Sequence, residues 1–274
     1  MKKNQFIAES GTIDGPLIEG CDTQESNTND IERKIYALRV HEVQSSQGLS
    51  LLTSNIANLD ASVRFACIYH LSAVIDDDVF LGMAETALSD SDTDNVEFAR
   101  SQICGRFWAA DELGDREYLL LRHFARSSNP QGRLCALGAI SGHSTWSDRF
   151  LGIVISLTDD PDSGVIAQAF HVLYSCSNAV TVRPHVGRGL AHPNPEIAKL
   201  AVRWIRDHSL EIPDFLASLE RLLRDKDLTL AFAAARTIYL HDPFHPQCRA
   251  ALTSLVELLK DDAMGVAASR LLEN

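Results

Sequence analysis

Glu196–His208, which reads EIAKLAVRWIRDH, decides the fold. At about 100° per residue, Ile197, Leu200, Ala201, Trp204 and Ile205 gather on one side of a helix, with Lys199, Arg203 and Arg206 on the other. Its core, Ile197 to Ile205, has six relatives that begin at Val63, Val96, Gly132, Val165, Leu230 and Met264, at intervals of 33, 36, 33, 32, 33 and 34 residues. Regular spacing in the thirties marks a helical repeat array, whose units bury their apolar faces only against their neighbours.

Each of these inner helices is preceded by an outer one, expected near Leu49–Asn58, Val79–Leu88, Glu117–Arg126, Arg149–Thr158, Val180–Ala191, Pro213–Arg224 and Pro246–Lys260. The turns between them are LDAS, SDSDTDN, SSNP, TDDPDS, AHPNP, RDKD and KDDA. Asp and Asn in these turns suit the N-cap and meet the positive end of the inner helix, and Pro suits its first turn. Residues 1–29 carry no helical period and are expected to be a flexible acidic tail, although Ile7, Ile13, Leu17 and Ile18 offer it docking points. From Asp30, read as an N-cap, IERKIYALRVHEV spaces Ile31, Ile35, Leu38 and Glu42 for an N-terminal capping helix, so the repeat domain is drawn as residues 30–274.

An apolar first position, small fourth and fifth positions (Ala66/Cys67, Cys135/Ala136, Ala233/Ala234, Ala267/Ala268) and an apolar ninth recur seven times. This pattern resembles the HEAT-repeat superfamily over about residues 49–274, in particular the short HEAT-like repeats of bacterial proteins, including the phycobilisome-lyase type. The resemblance implies an all-α superhelix, or solenoid, of about seven helical hairpins, whose inner helices line a concave surface that usually binds protein. The second-position Arg frequent in the family is met by Arg64 and Arg133 but not by Glu97, Ile166, Ala198, Ala231 or Gly265.

No apolar run reaches the roughly 18–20 residues of a membrane span, and Glu9 and Ser10 interrupt the start before a signal-peptide core can form. Of the six cysteines, Cys67, Cys104 and Cys135 fall at core positions of inner helices, and there is no CxxC pair, so a reducing cytoplasm is expected. The net charge of −12 is uneven: Lys and Arg against Asp and Glu number 5 and 9 in residues 1–62, 8 and 16 in 63–162, and 12 and 12 in 163–274. The acidic first half argues against a nucleic-acid backbone along the whole length.

Nucleotide-binding glycine motifs, HExxH and a GxSxG in a strand-to-helix context are all absent from the sequence. His143, His208 and His241, with Cys176 in the repeat between, share the twelfth inner-helix position, but helices about 8–10 Å apart do not bring such ligands within about 2.0–2.3 Å of one zinc ion. A histidine closing a helix at its negative end is the simpler role. HDPFHP at 241–246 reads as a turn, and Asp76–Asp78 and Asp90–Asp94 lack EF-hand spacing. Trp204, at an eighth position, is expected in the core. No cofactor, metal or catalytic residue is assigned, and the balance leans away from an enzyme.

What remains is the stripe of third, seventh and tenth inner-helix positions, opposite the core. Its candidate binding residues are Phe65, Tyr69, Phe98, Gln102, His171, Tyr174, Lys199, Arg203, Arg206, Phe232, Arg236, Tyr239 and Arg270. Aromatic residues and Arg are enriched at binding hot spots, and the cations call for carboxylates or phosphates. The expected function is a non-enzymatic protein-binding scaffold, an adaptor or an inhibitor such as an immunity-type protein, whose partner offers acidic and apolar surface. The alternative is a nucleic-acid-binding or DNA-glycosylase-like HEAT protein using the basic C-terminal half.

Overall fold

The structure, a computed structural model, describes residues 22–110, 113–143, 148–175, 179–208, 212–260 and 262–273. Ile7, Ile13, Leu17, Ile18, Trp146 and Cys176 lie outside them. Among the described residues every regular element is helical, and no helix is long and apolar enough to cross a membrane.

The chain forms two compact units, Met1–Ala87 and Leu88–Asn274. The first holds α1 (Asp22–Tyr36), α2 (Val40–Val43), α3 (Ser46–Asn55), α4 (Ala61–Tyr69) and α5 (Asp77–Ala87). Here α1 packs along α4, the first inner helix, as a cap should. Glu32 accepts from Ser62 Oγ at 3.2 Å, the rings of Tyr36 and Tyr69 meet edge to face at 5.9 Å, and buried His70 binds the Ile35 carbonyl at 2.8 Å through Nε2. Two details differ from expectation. Asp30 is not the N-cap, because α1 begins eight residues earlier and takes in residues 22–29; Asp30 instead pairs with Lys34 one turn on. Glu42 does not continue the apolar face, because the helix breaks after Tyr36; its carboxylate accepts from the Arg39 backbone N–H at the start of α2.

The second unit begins with α6 (Thr93–Trp108), the inner helix of the second repeat. Five hairpins follow: α7 (Asp115–Ala125) with α8 (Pro130–Ser141), α9 (Asp148–Ser156) with α10 (Ser163–Tyr174), α11 (Ala179–Leu190) with α12 (Pro195–Asp207), α13 (Leu216–Leu222) with α14 (Leu228–His241), and α15 (Pro246–Leu258) with α16 (Ala263–Glu273). The inner helices α6, α8, α10, α12, α14 and α16 each pack on the next in chain order. α13 is shorter than the expected Pro213–Arg224. Pro213 lies in a 3-10 turn over Ile212–Asp214, and tight bonds from the N–H groups of Arg224 and Asp225 to the carbonyls three residues back close the other end.

The acids of the turns act as caps. A side-chain oxygen of Asp60, Asp92, Asn129, Asp162, Asn194, Asp227 or Asp262 accepts from a backbone N–H in the first turn of each inner helix. Two residues earlier, Asn58, Asp90, Ser127, Asp160, His192 and Asp225 accept from the backbone N–H of the cap residue itself, which fixes the approach to the helix. Cys67, Cys104, Cys135 and Cys248 are buried free thiols. Burial pushes Cys67 up to about 12 and Cys248 to about 11, so both remain protonated packing groups.

Candidate functional site

The inner helices of Leu88–Asn274 carry the candidate face. In α12, Ile197, Ala201, Trp204 and Ile205 are buried, Leu200 is half-buried, and Arg203 projects with 69% of its side chain exposed. The same turn of the neighbouring helices exposes His171, Arg236 and Arg270, while Gln102 is half-buried. Seventh positions therefore face solvent across α10, α12, α14 and α16.

The other two predicted rows behave differently. At the third position Phe98, Lys199 and Phe232 are half-buried, as is Phe65 in the first unit, where Tyr69 is exposed. At the tenth position Tyr174 and Tyr239 are not exposed: they retain 8% and 7% of their surface. Nine steps of about 100° set that position half a turn from the buried first one, so it is the neighbouring elements, and not the rotation of its own helix, that cover it. Tyr174 accordingly packs between Phe170 and Trp204, with ring centroids at 5.7 and 6.3 Å, and donates its hydroxyl to the His185 carbonyl at 3.3 Å. Desolvation raises its pKa, so the hydroxyl stays a neutral donor.

Not every cation of the stripe is available. Lys199 Nζ lies 2.8 Å from both Glu196 and the cap Asp227, which raises the lysine pKa and holds Asp227 well below the usual carboxylate range. Arg206 lies 2.9 Å from Asp207, which also stands 3.4 Å from Arg203 Nε. The charge on Lys199 and Arg206 is thus answered from within the array. The clue was in the sequence: Glu196 is three residues before Lys199, and Asp207 four after Arg203, the spacings at which helix side chains meet.

Between α10 and α12 a cavity of about 180 Å³ is lined by His171, Tyr174, Ser175, Leu200, Arg203, Trp204, Asp207 and His208. His208 closes α12 as expected of a C-terminal histidine: its Nδ1 lies 3.0 Å from the Trp204 carbonyl and its ring stacks on the indole at 4.5 Å. Among the described residues the buried Trp204 Nε1 has no hydrogen-bond partner. His143 binds the Phe107 carbonyl at 3.0 Å. His245 accepts from the Cys248 N–H at the head of α15 and reaches Glu220 at 3.0 Å, so both of its ring nitrogens are engaged. A larger cavity, about 930 Å³, runs along the turns beside the short α13, but its acids Glu220, Asp225 and Asp227 already serve His245, a cap backbone and Lys199.

No protein-family model and no curated protein matches the chain. Among solved structures, YibA from E. coli, a HEAT-repeat protein, is similar with a TM-score of 0.52 at 13% identity, over 94% of this chain and 100% of that one. The complex of CpcE and CpcF of phycocyanin lyase from Nostoc sp. PCC7120 aligns over 98% of this chain and 99% of that chain, at 12% identity and a TM-score of 0.32. The described residues, helical throughout and paired into capped hairpins at the repeat period, therefore have the HEAT-like helical repeat fold.

Proposed function

We propose that the chain is a non-enzymatic protein-binding scaffold, an adaptor or inhibitor, that holds its partner on the inner-helix face of Leu88–Asn274. The observation that carries this reading is the exposed row His171, Arg203 and Arg236 on successive helices whose opposite sides are buried. Rows of this kind, fixed by packing from behind, present side chains without the entropy cost of ordering a loop. Half-buried Phe232, one turn before Arg236, supplies apolar surface beside the cations. A protein with acidic and apolar surface suits that mixture better than a nucleic-acid backbone, because apolar residues lie among the cations and Glu196, Asp207 and Asp227 leave too small an excess of positive charge to hold a continuous run of phosphates.

Capture of partners from a lysate, identified by mass spectrometry, tests this with Arg203→Glu/Arg236→Glu against Lys226→Glu/Lys260→Glu. The first pair is expected to lose a stoichiometric protein that wild type and the second pair retain, with circular dichroism unchanged in both. Equal capture by all three chains overturns the assignment to this face, and salt-sensitive retention of oligonucleotides by wild type favours the nucleic-acid alternative.

A further inference from the structure

The cavity between α10 and α12 has the size, charge and unused donor of an anchor for one acidic side chain. Its volume, about 180 Å³, is below the roughly 300–1,000 Å³ of a cofactor or drug-sized site but ample for a single side chain. Among the described residues Arg203 and Arg206 share one carboxylate, Asp207, which leaves one positive charge unanswered there. A carboxylate neutralises that charge, whereas a phosphate dianion would overshoot it beside Asp207. Trp204, buried all but 2%, lines the cavity and holds an indole N–H with no acceptor, and a buried donor is stabilised by finding one.

We propose that this cleft seats an aspartate or glutamate side chain of the partner protein, paired with the Arg203 guanidinium and accepting from Trp204 Nε1. The proposal rests on the inner-helix reading of the function and gives it a chemistry. Because Nε1 is buried in the free chain, engagement requires the side chains packed around it to give way. Leu200, half-buried in the same wall, offers a seat for an apolar neighbour of the acid.

The test is nuclear magnetic resonance of the full chain with isotope-labelled tryptophan, the Trp204 indole signal being identified by elimination with Trp108→Phe and Trp146→Phe. The probes are N-acetyl-glutamyl-leucinamide, its glutaminyl counterpart and inorganic phosphate. The glutamyl peptide is expected to move the Trp204 N–H signal saturably in the millimolar range, with the glutaminyl peptide at least about tenfold weaker. Arg203→Gln should weaken the glutamyl peptide by a similar factor, and Lys226→Gln should leave it unchanged. No movement of the signal, equal response to the glutaminyl peptide, or a response to phosphate as strong as to the glutamyl peptide overturns the proposal. Failure here with capture by the Arg203/Arg236 face intact removes the anchor alone. Loss of capture with the peptide response intact removes the wider face and leaves the cleft.

Discussion

Arg133 joins two successive turns through one side chain. Its Nε and Nη2 donate to the two oxygens of Asp160 at 2.6 and 2.8 Å, and Nη1 donates to the carbonyls of Ser127 and Ser128. Asp160 in turn accepts from the Asp162 N–H, so one carboxylate serves both the guanidinium and the next inner helix. The Asp160 side chain keeps 4% of its surface, and removing one partner from a buried pair leaves a charge uncompensated. Arg133→Met is therefore expected to destabilise the fold by about 3–5 kcal/mol in urea unfolding. Arg126→Met, at an exposed position, should stay within about 0.5 kcal/mol of wild type. Arg133 was visible in the sequence as one of two second-position arginines. Asp160 was visible only as an acid in a turn, because the pair spans 27 residues and a choice among several acids in the neighbouring turns.

At the scale of the element, the inner helices owe their register to their caps. Asp162 accepts from the N–H groups of both Gly164 and Val165, and Asp162→Ala should cost about 1 kcal/mol, read as a lower midpoint in thermal unfolding. Asp227 adds an ion pair to the same role. Hydrogen bonds from Lys199 and then Thr229 lower its folded-state pKa, so its contribution is complete above the ordinary carboxylate value of about 3.9 and is lost as the pH falls through the lower native value. The stability gap between wild type and Asp227→Asn should then be constant from about pH 5 to pH 8 and close as the pH drops below about 4. A gap that widened in acid would contradict the capping geometry. Helix existence followed from periodicity in every repeat, but α1 and α13 show where periodicity stops. α1 starts inside a polar stretch, ahead of the periodic residues that meet α4, which no local pattern encodes, and α13 is trimmed by a proline turn at one end and tight backbone bonds at the other.

For the molecule as a whole, a net charge of −12 coexists with an inner face whose exposed seventh positions include His171, Arg203, Arg236 and Arg270. Association through that face should weaken as salt rises from about 0.05 to 0.5 M, since exposed charges are screened over a Debye length of about 10 Å at 0.1 M. Capture insensitive to salt would point to the apolar surface instead. The sequence by itself determined the all-helical repeat, its period, the capping role of Asp and Asn, the burial of Cys67, Cys104, Cys135 and Trp204, and the outward direction of the seventh positions of α10, α12, α14 and α16. Each of these follows from local periodicity or from a side chain bonding its own first turn. Only the tertiary structure decided that Tyr174 and Tyr239 are buried, that Lys199 is tied to the next repeat's cap, and that Trp204 lines a cleft with an unused N–H. Those outcomes depend on how far one inner helix is rotated against the next, which is set by packing between repeats and is not written in the pattern of any single repeat.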